Sequence, residues 1–405
     1  MDFGTVVWHD RLEHAFRTDI GMRVANNQDS FTVQIAESES DWQRRGDLFI
    51  VADGMGACAA GELASRLAIE CVPWHYDREV AAHTPPRAIL AAFRAANIEI
   101  HRRGQTNADF HGMGTTCTAM ILHPKGALVA HVGDTRAYRL RGVRFERLTF
   151  DHSLSSEIQA AAAISPETAG SVPKNILTRA LGHRPSVQVD LEGPLSIMPD
   201  DTFLLCTDGL SGQVREEEMG GILACLPPAE AVQILVDLAN LRGGPDNITV
   251  IVTRAVGSVW TGATLPSRTG ATSFLRAASR RLAELAKRAA NPRALTLRAV
   301  TGWFSGKVGT GARNKERPHR QLGRGPYGST DCSPNAVFAQ ELAVIVRELR
   351  EAALEAGWRV DWNHLDMFFD AATSANGVGN SSEAVRQYSH AISFMMAELR
   401  QSRWQ

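Results

Sequence analysis

At 405 residues the chain is too long for one average domain, so two or three are expected. Its 43 Lys and Arg against 44 Asp and Glu give a formal net charge of −1, which excludes a global field drawing it to nucleic acid or an acidic surface. No run approaches about 18 consecutive apolar residues and the N-terminus lacks an apolar signal core, so a cytoplasmic chain without a transmembrane segment is expected.

The near-neutral total conceals three blocks. Residues 1–258 carry 23 basic against 32 acidic side chains, 259–334 carry 14 against 3, and 335–405 carry 6 against 9: an acidic body, a basic tether and a mildly acidic tail. The six cysteines (58, 71, 117, 206, 225 and 332) form no CxxC pair and sit mostly in apolar segments, which reads as buried free thiols in a reducing compartment.

From Phe3 to Phe31 the composition is mixed and polar, closing on a turn at Asn26–Asp29 before an alternating strand at 30–36. The polar stretch 37–46 reads as a hairpin loop, and Leu48–Ala52 as a buried strand that runs into Asp53-Gly54-Met55-Gly56. Apolar spacing at Leu63, Ala64, Leu67, Ala68, Cys71 and Val72 predicts a helix over 61–76 lying on a sheet, and Pro86 opens a second to Arg103. Short β-rich segments follow at 115–123, 127–132, 136–140 and 143–148, with punctuation that suits antiparallel strands. Residues 152–175 read as a helix and a loop. Strand character returns at 187–191 and 202–206, helical periodicity at 216–242, and a last strand at 247–254. Strands at both ends with helices between them imply an α+β layered domain, because strands apolar on both faces need covering on each side.

Six aspartates stand beside Gly or Asn at strand ends: Asp29, Asp53, Asp109, Asp134, Asp208 and Asp246. Each alone reads equally well as an Asx-turn. If they converge, burial and mutual repulsion would force protons onto them unless a cation compensates. All-oxygen ligands then imply Mg²⁺ or Mn²⁺ rather than Zn²⁺.

Eight blocks extend the pattern over residues 1–254: Arg23 with Asn27-Gln28-Asp29, Asp53-Gly54-Met55-Gly56, Gly112-Met113-Gly114-Thr115-Thr116, Val132-Gly133-Asp134-Thr135-Arg136, Leu148-Thr149-Phe150-Asp151-His152-Ser153, Leu177-Thr178-Arg179-Ala180-Leu181-Gly182, Thr207-Asp208-Gly209-Leu210 and Gly243-Gly244-Pro245-Asp246-Asn247. In this order they resemble the bacterial metal-dependent Ser/Thr protein phosphatases of type 2C. The resemblance implies two antiparallel sheets packed as a sandwich, flanked by helices, with a dinuclear Mn²⁺ or Mg²⁺ centre in a cleft at one edge. By position, Asp53 resembles the carboxylate bridging both metals, the Gly54 carbonyl a ligand of one, and Asp208 and Asp246 ligands of the other. Asp29 would hydrogen-bond to water on the metals, Arg23 would bind phosphate through its planar fork, and Asp109 would hold a third, weaker ion shared with Asp208. Asn247 would orient Asp246.

Two positions depart from the family pattern. Gln28 stands where Glu is usual, removing one negative charge near the second metal, which predicts weaker metal affinity with activity retained. Met55 replaces a His found in animal members, leaving the general acid unassigned. His152 reads as a structural histidine, and Asp134 with Arg136 as a structural turn pair.

Three segments are expected: a phosphatase domain over 1–255, a basic and largely flexible linker over 256–334 with a helix at 274–290, and a small all-α bundle over 335–405. The linker helix suits docking on the acidic body better than on nucleic acid, because aromatics are too sparse for base stacking. Helical runs at 335–356, 361–375 and 381–402, with Gly357, Gly377 and Gly379 as stops, read as three helices, the last two weakly like a tetratricopeptide hairpin that could meet a protein partner. The expected activity is hydrolysis of phosphoserine and phosphothreonine on proteins by a dimetal-activated water, opposite a bacterial Ser/Thr kinase. The rivals are a pseudophosphatase signalling through its C-terminal helices and a phosphatase of a small metabolite selected by the flap at 152–175. Intact Asp53, Asp208 and Asp246 favour an enzyme.

Overall fold

The computed structural model of the chain describes residues 10–56, 59–160, 176–260 and 325–402. They fall into two compact units, one holding 151–160 with 176–178 and the other all the rest. The expected helix at 274–290 and most of the flap lie outside the described residues.

The larger unit is built on two antiparallel sheets. The first runs β1 (Leu12–Asp19), β11 (Ile248–Ala255), β10 (Thr202–Cys206), β7 (Arg136–Arg141), β8 (Arg144–Arg147), β12 (Gly328–Asp331). The second runs β2 (Asp29–Gln34), β3 (Asp47–Met55), β5 (Cys117–His123), β6 (Gly126–Val132), β9 (Asp190–Leu195), with β4 (Gly114–Thr115) beside the end of β3.

Strand β3 shows why the layers form. Leu48, Ile50 and Ala52 point to one face, where they pack with Ala64, Ala68 and Val72 of α2 (Ala59–Glu79) and Ile89, Phe93 and Ala96 of α3 (Pro85–Thr106). Phe49 and Val51 point the other way, into an inter-sheet core with Phe203, Leu205 and Ile251. With helices on one face and a sheet on the other, Leu48–Ala52 is a continuous apolar run rather than an alternating one. The far side of the first sheet (Tyr138, Leu204, Val250 and Val252) is covered by α6 (Glu216–Cys225) and α7 (Pro228–Leu241). A short α5 (Asp208–Ser211) links β10 to α6.

Residues 325–402 add to the same body. Within the span expected as linker, β12 pairs with β8 in antiparallel register. The three helices appear close to where periodicity placed them, as α8 (Ala336–Glu355), α9 (Trp362–Gly377) and α10 (Ser381–Ser402). Phe338, Leu342, Val346, Ile392 and Met395 join one apolar cluster with α6 and α7. Helix α6 has two glycines where the extension rests: a Cβ on Gly220 would lie 2.3 Å from Cys332 Sγ, and one on Gly221 2.7 Å from the Phe338 ring. Polar ties frame this contact. Arg400 Nη1 donates to Asp237 Oδ1 at 2.6 Å, Arg386 donates twice to the Cys225 carbonyl, His390 Nε2 lies 2.8 Å from Glu230 Oε2, and Arg215 pairs with Glu341.

Some local expectations are corrected. Residues 37–46 are not a plain loop: α1 (Glu39–Arg45) forms there because Ser38 accepts from the Asp41 amide and Trp42 has an apolar place to go, against Trp260. The polar lead-in contains β1, which pairs residue for residue with β11. The strand expected at 187–191 begins at Asp190. In the smaller unit, α4 (Leu154–Ala160) supplies the helix expected there. Cysteines 71, 117, 206, 225 and 332 are free thiols, and all but Cys71 are buried.

Candidate active site

Four of the six aspartates come together because the two sheets finish at one edge. The first residue of β2, Asp29, is the direct cross-strand partner of Asp53 near the end of β3. From the other sheet, Asp208 opens α5 just after β10, and Asp246 precedes β11, the neighbour of β10. Thr207 sits at this junction: its Oγ1 donates to Asp29 Oδ2 at 2.8 Å and accepts from Thr249 N at 2.9 Å, so it ties the carboxylate of one sheet to the strands of the other. The other oxygen of Asp29, Oδ1, is buried without a hydrogen-bond partner among the described residues.

Asp53 is held through its main chain by Thr115 and Thr116. Its N–H donates to Thr116 Oγ1 at 2.9 Å, while Thr115 Oγ1 and Thr116 N donate to its carbonyl at 2.8 and 2.9 Å. Gly54 then passes so close to α2 that a Cβ would stand 2.0 Å from the Gly61 carbonyl; no other residue type fits this approach. Its N–H donates to Gln28 O at 3.1 Å.

Like charges directly opposite on neighbouring strands repel, and the charge of Asp29 adds to what raises the carboxyl of Asp53. Burial pushes Asp29 up to about 7, against the pull of hydrogen bonds from Thr207 and Thr249 and with help from the charges of Asp208 and Asp246. Burial, then the charges of Asp29, Asp208, Asp134 and Asp246, push Asp53 well above the carboxylate range. A divalent cation is the natural relief for such a set, and an orphaned buried carboxylate oxygen among all-oxygen donors suits Mn²⁺ or Mg²⁺. No three acidic, His or Cys side chains among the described residues already form a closed metal-binding group, so the fit rests on donor chemistry and field.

Arg23 is exposed and its guanidinium lies over Gly243, where a Cβ would stand 3.2 Å from Nη2. The side chain of Gln28 lies against Gly61 at the start of α2. Asn247 is attached to Asp246 through its backbone N–H (2.8 Å to Oδ1), whereas its side chain turns toward residues 20–28. Asp109 is exposed in a turn at Ala108–Phe110. Asp134, one of the six aspartates and read with Arg136 as a structural turn pair, adds its charge to Asp53. In the smaller unit His152 is fully buried and its carbonyl accepts from Thr178 N. Thr115, Thr116 and Thr207 belong to the quoted blocks but carry no assigned role there, and Thr249 lies three residues beyond Asp246.

A two-sheet α+β sandwich that gathers carboxylates and an exposed arginine at one edge defines a class of metal-dependent phosphatase folds. The sequence profile described as Protein phosphatase 2C matches residues 23–233, and the chain belongs to that family. It is 35% identical over 245 residues to protein phosphatase PhpP of Streptococcus pneumoniae, covering 59% of this chain and 96% of PhpP. It is 36% identical over 242 residues to the serine/threonine phosphatase stp of Listeria monocytogenes, covering 58% of this chain and 93% of that protein. Among solved structures, the serine/threonine phosphatase PstP/Ppp of Mycobacterium tuberculosis is 34% identical with a TM-score of 0.53, over 61% of this chain and 99% of that one. The catalytic domain of PstP in complex with two manganese ions is similar at 34% identity and a TM-score of 0.51, with the same coverage of both chains.

Proposed function

We propose that this chain hydrolyses phosphoserine and phosphothreonine monoesters on proteins with the help of two Mn²⁺ or Mg²⁺ ions. The observation that carries the reading is the convergence of Asp29, Asp53, Asp208 and Asp246 from both sheets onto one edge, with Arg23 against Gly243 in the loop that leads to Asp246. Asp53 and the Gly54 carbonyl, with Asp208 and Asp246, would hold the ions. When bound, the cation pair supplies an acidified water and neutralises the phosphoryl oxygens. Asp29, held by Thr207 through one carboxylate oxygen, would orient that water with the other, which has no hydrogen-bond partner among the described residues. The Arg23 fork would hold two phosphoryl oxygens and set the phosphorus in line. A third, weaker ion between Asp109 and Asp208 rests on the sequence position of Asp109 alone.

Intact Asp53, Asp208 and Asp246 weigh against a pseudophosphatase. A role in signalling in the cytoplasm, against a Ser/Thr kinase, is consistent with cysteines kept as thiols. No helix among the described residues is long and apolar enough to cross a membrane. The test is hydrolysis of an aryl phosphate and a phosphothreonine peptide with and without Mn²⁺. The wild type is expected to turn over both only with metal and Asp208→Asn neither; equal rates in the two proteins would reject the reading.

A further inference from the structure

Three blocks of the site depend on one buried side chain. Asn247 is 5% exposed and uses each arm of its amide. Its Oδ1 accepts from Gln28 N at 2.8 Å, and its Nδ2 donates to Ile20 O at 2.9 Å and Asn26 O at 3.0 Å. These three backbone groups mark the start and the end of the loop that carries Arg23. Between them the loop is also held by Gly21 N to Asp19 Oδ1 at 2.9 Å and Met22 N to Gly244 O at 2.8 Å. The Gln28 carbonyl in turn accepts from Gly54 N and from Ser65 Oγ. The carbonyl of Asn247 packs on Gly209, where a Cβ would lie 2.0 Å away, beside Asp208.

We infer that Asn247 is a positioning residue for phosphate binding: its amide clamps both ends of the 20–28 loop and so sets Arg23 against Gly243, in the loop that leads to Asp246. This rests on the phosphatase reading above and on Arg23 as the phosphate-binding group. An exposed loop with an arginine in the middle samples many orientations, and fixing both ends removes most of that freedom before the phosphate arrives. A side chain of Ala, Ser or Leu cannot replace it, because the site needs one acceptor and two donors in a plane. Aspartate offers the acceptor and places a charge against two carbonyl oxygens.

The test uses the full chain loaded with Mn²⁺. Inorganic phosphate binding is measured by calorimetry, KM and kcat with a phosphothreonine peptide, and Mn²⁺ affinity by titration. For Asn247→Ala we expect phosphate affinity to fall about tenfold and KM to rise, with Mn²⁺ affinity within about twofold of wild type. Because the effect runs through Arg23, the double variant with Arg23→Ala is expected to bind phosphate no worse than Arg23→Ala alone. Unchanged phosphate affinity, additive losses, or a fall in Mn²⁺ affinity alone would each overturn the inference. If Arg23→Ala itself leaves phosphate affinity unchanged, the fault lies with the phosphate reading instead. Asn247→Ser is read in the same way if the alanine variant does not fold. Hydrogen exchange on the wild type is an independent check: the Gln28 amide is expected to be protected, and fast exchange there would by itself refute the clamp.

Discussion

Removing the Phe338 ring tests whether the C-terminal helices are docked on the phosphatase sheet as described. Phe338 is 8% exposed and packs on Gly221 of α6. Truncating a buried Phe to Ala costs about 3 kcal/mol or more, a fall in melting temperature of about 3–5 °C for a chain of this size. Gly221→Ala is more discriminating, since two effects oppose each other there. Replacing Gly inside a helix favours folding by about 1 kcal/mol, but the new Cβ would stand 2.7 and 3.0 Å from ring atoms of Phe338, and overpacking costs about 1–3 kcal/mol. In the wild type the substitution should therefore destabilise by about 1 kcal/mol. In Phe338→Ala the ring is gone, the Cβ occupies part of the space, and Gly221→Ala should stabilise by about 1 kcal/mol. Urea unfolding of the four proteins, followed by circular dichroism, reads this reversal of sign. A Gly221→Ala effect of equal sign and size in both backgrounds would refute the docking of α8 on α6.

The acid limb of stability offers a second test. Burial resists ionisation of Glu218, yet hydrogen bonds from Arg242 and Arg215 override it and hold the carboxyl at about 2. A depressed folded-state value gives stabilisation that is complete above the unfolded value of 4.5 and is lost as pH falls toward 2, about 3 kcal/mol in all. In Glu218→Gln the urea midpoint should lose this part of its pH dependence below pH 4.5, and a profile parallel to wild type would count against the Arg242 pairing. At the metal site, Gln28→Glu restores a charge close to Gly54 and should lower the Mn²⁺ concentration for half-maximal activity by roughly tenfold, about 1.4 kcal/mol. An unchanged requirement would show that position 28 does not bear on metal affinity.

What the sequence revealed follows from which forces leave local marks. Strands β3, β5 and β6 are buried on both faces and so read as apolar runs, and the aspartates were legible because glycine must follow where the backbone approaches α2 or the Asn247 carbonyl. Helices α8 to α10 carry a 3.6-residue apolar stripe and were placed to within a few residues. Elements stabilised by a distant partner left no such mark. Strand β12 (Gly-Ser-Thr-Asp) has no apolar side chain and owes its form to the backbone of β8. Helix α1 is seven residues long with only Trp42 buried, too little for periodicity to register. Strand β1 lies at a sheet edge, where Phe16 remains about half exposed, so its alternation is blurred. Thr207 and Thr249 look like ordinary β-branched strand residues until the second sheet brings Asp29 to them. The direction of the Asn247 side chain is a tertiary fact that no spacing encodes.

The place of β11 in its sheet has a consequence for how the protein comes into being. It lies between β1 and β10, so the oldest strand of that sheet must wait for one of the youngest before it gains a neighbour. A chain emerging from the ribosome exposes Asp29 and Asp53 long before Asp208 and Asp246 exist to complete the set. Closure over more than two hundred residues makes this the slow step of assembly. Catalytic competence thus serves as a certificate of finished synthesis: a partly made chain holds half of the carboxylates, no Asn247 to fasten the arginine loop, and no means of acting on a phosphoprotein early.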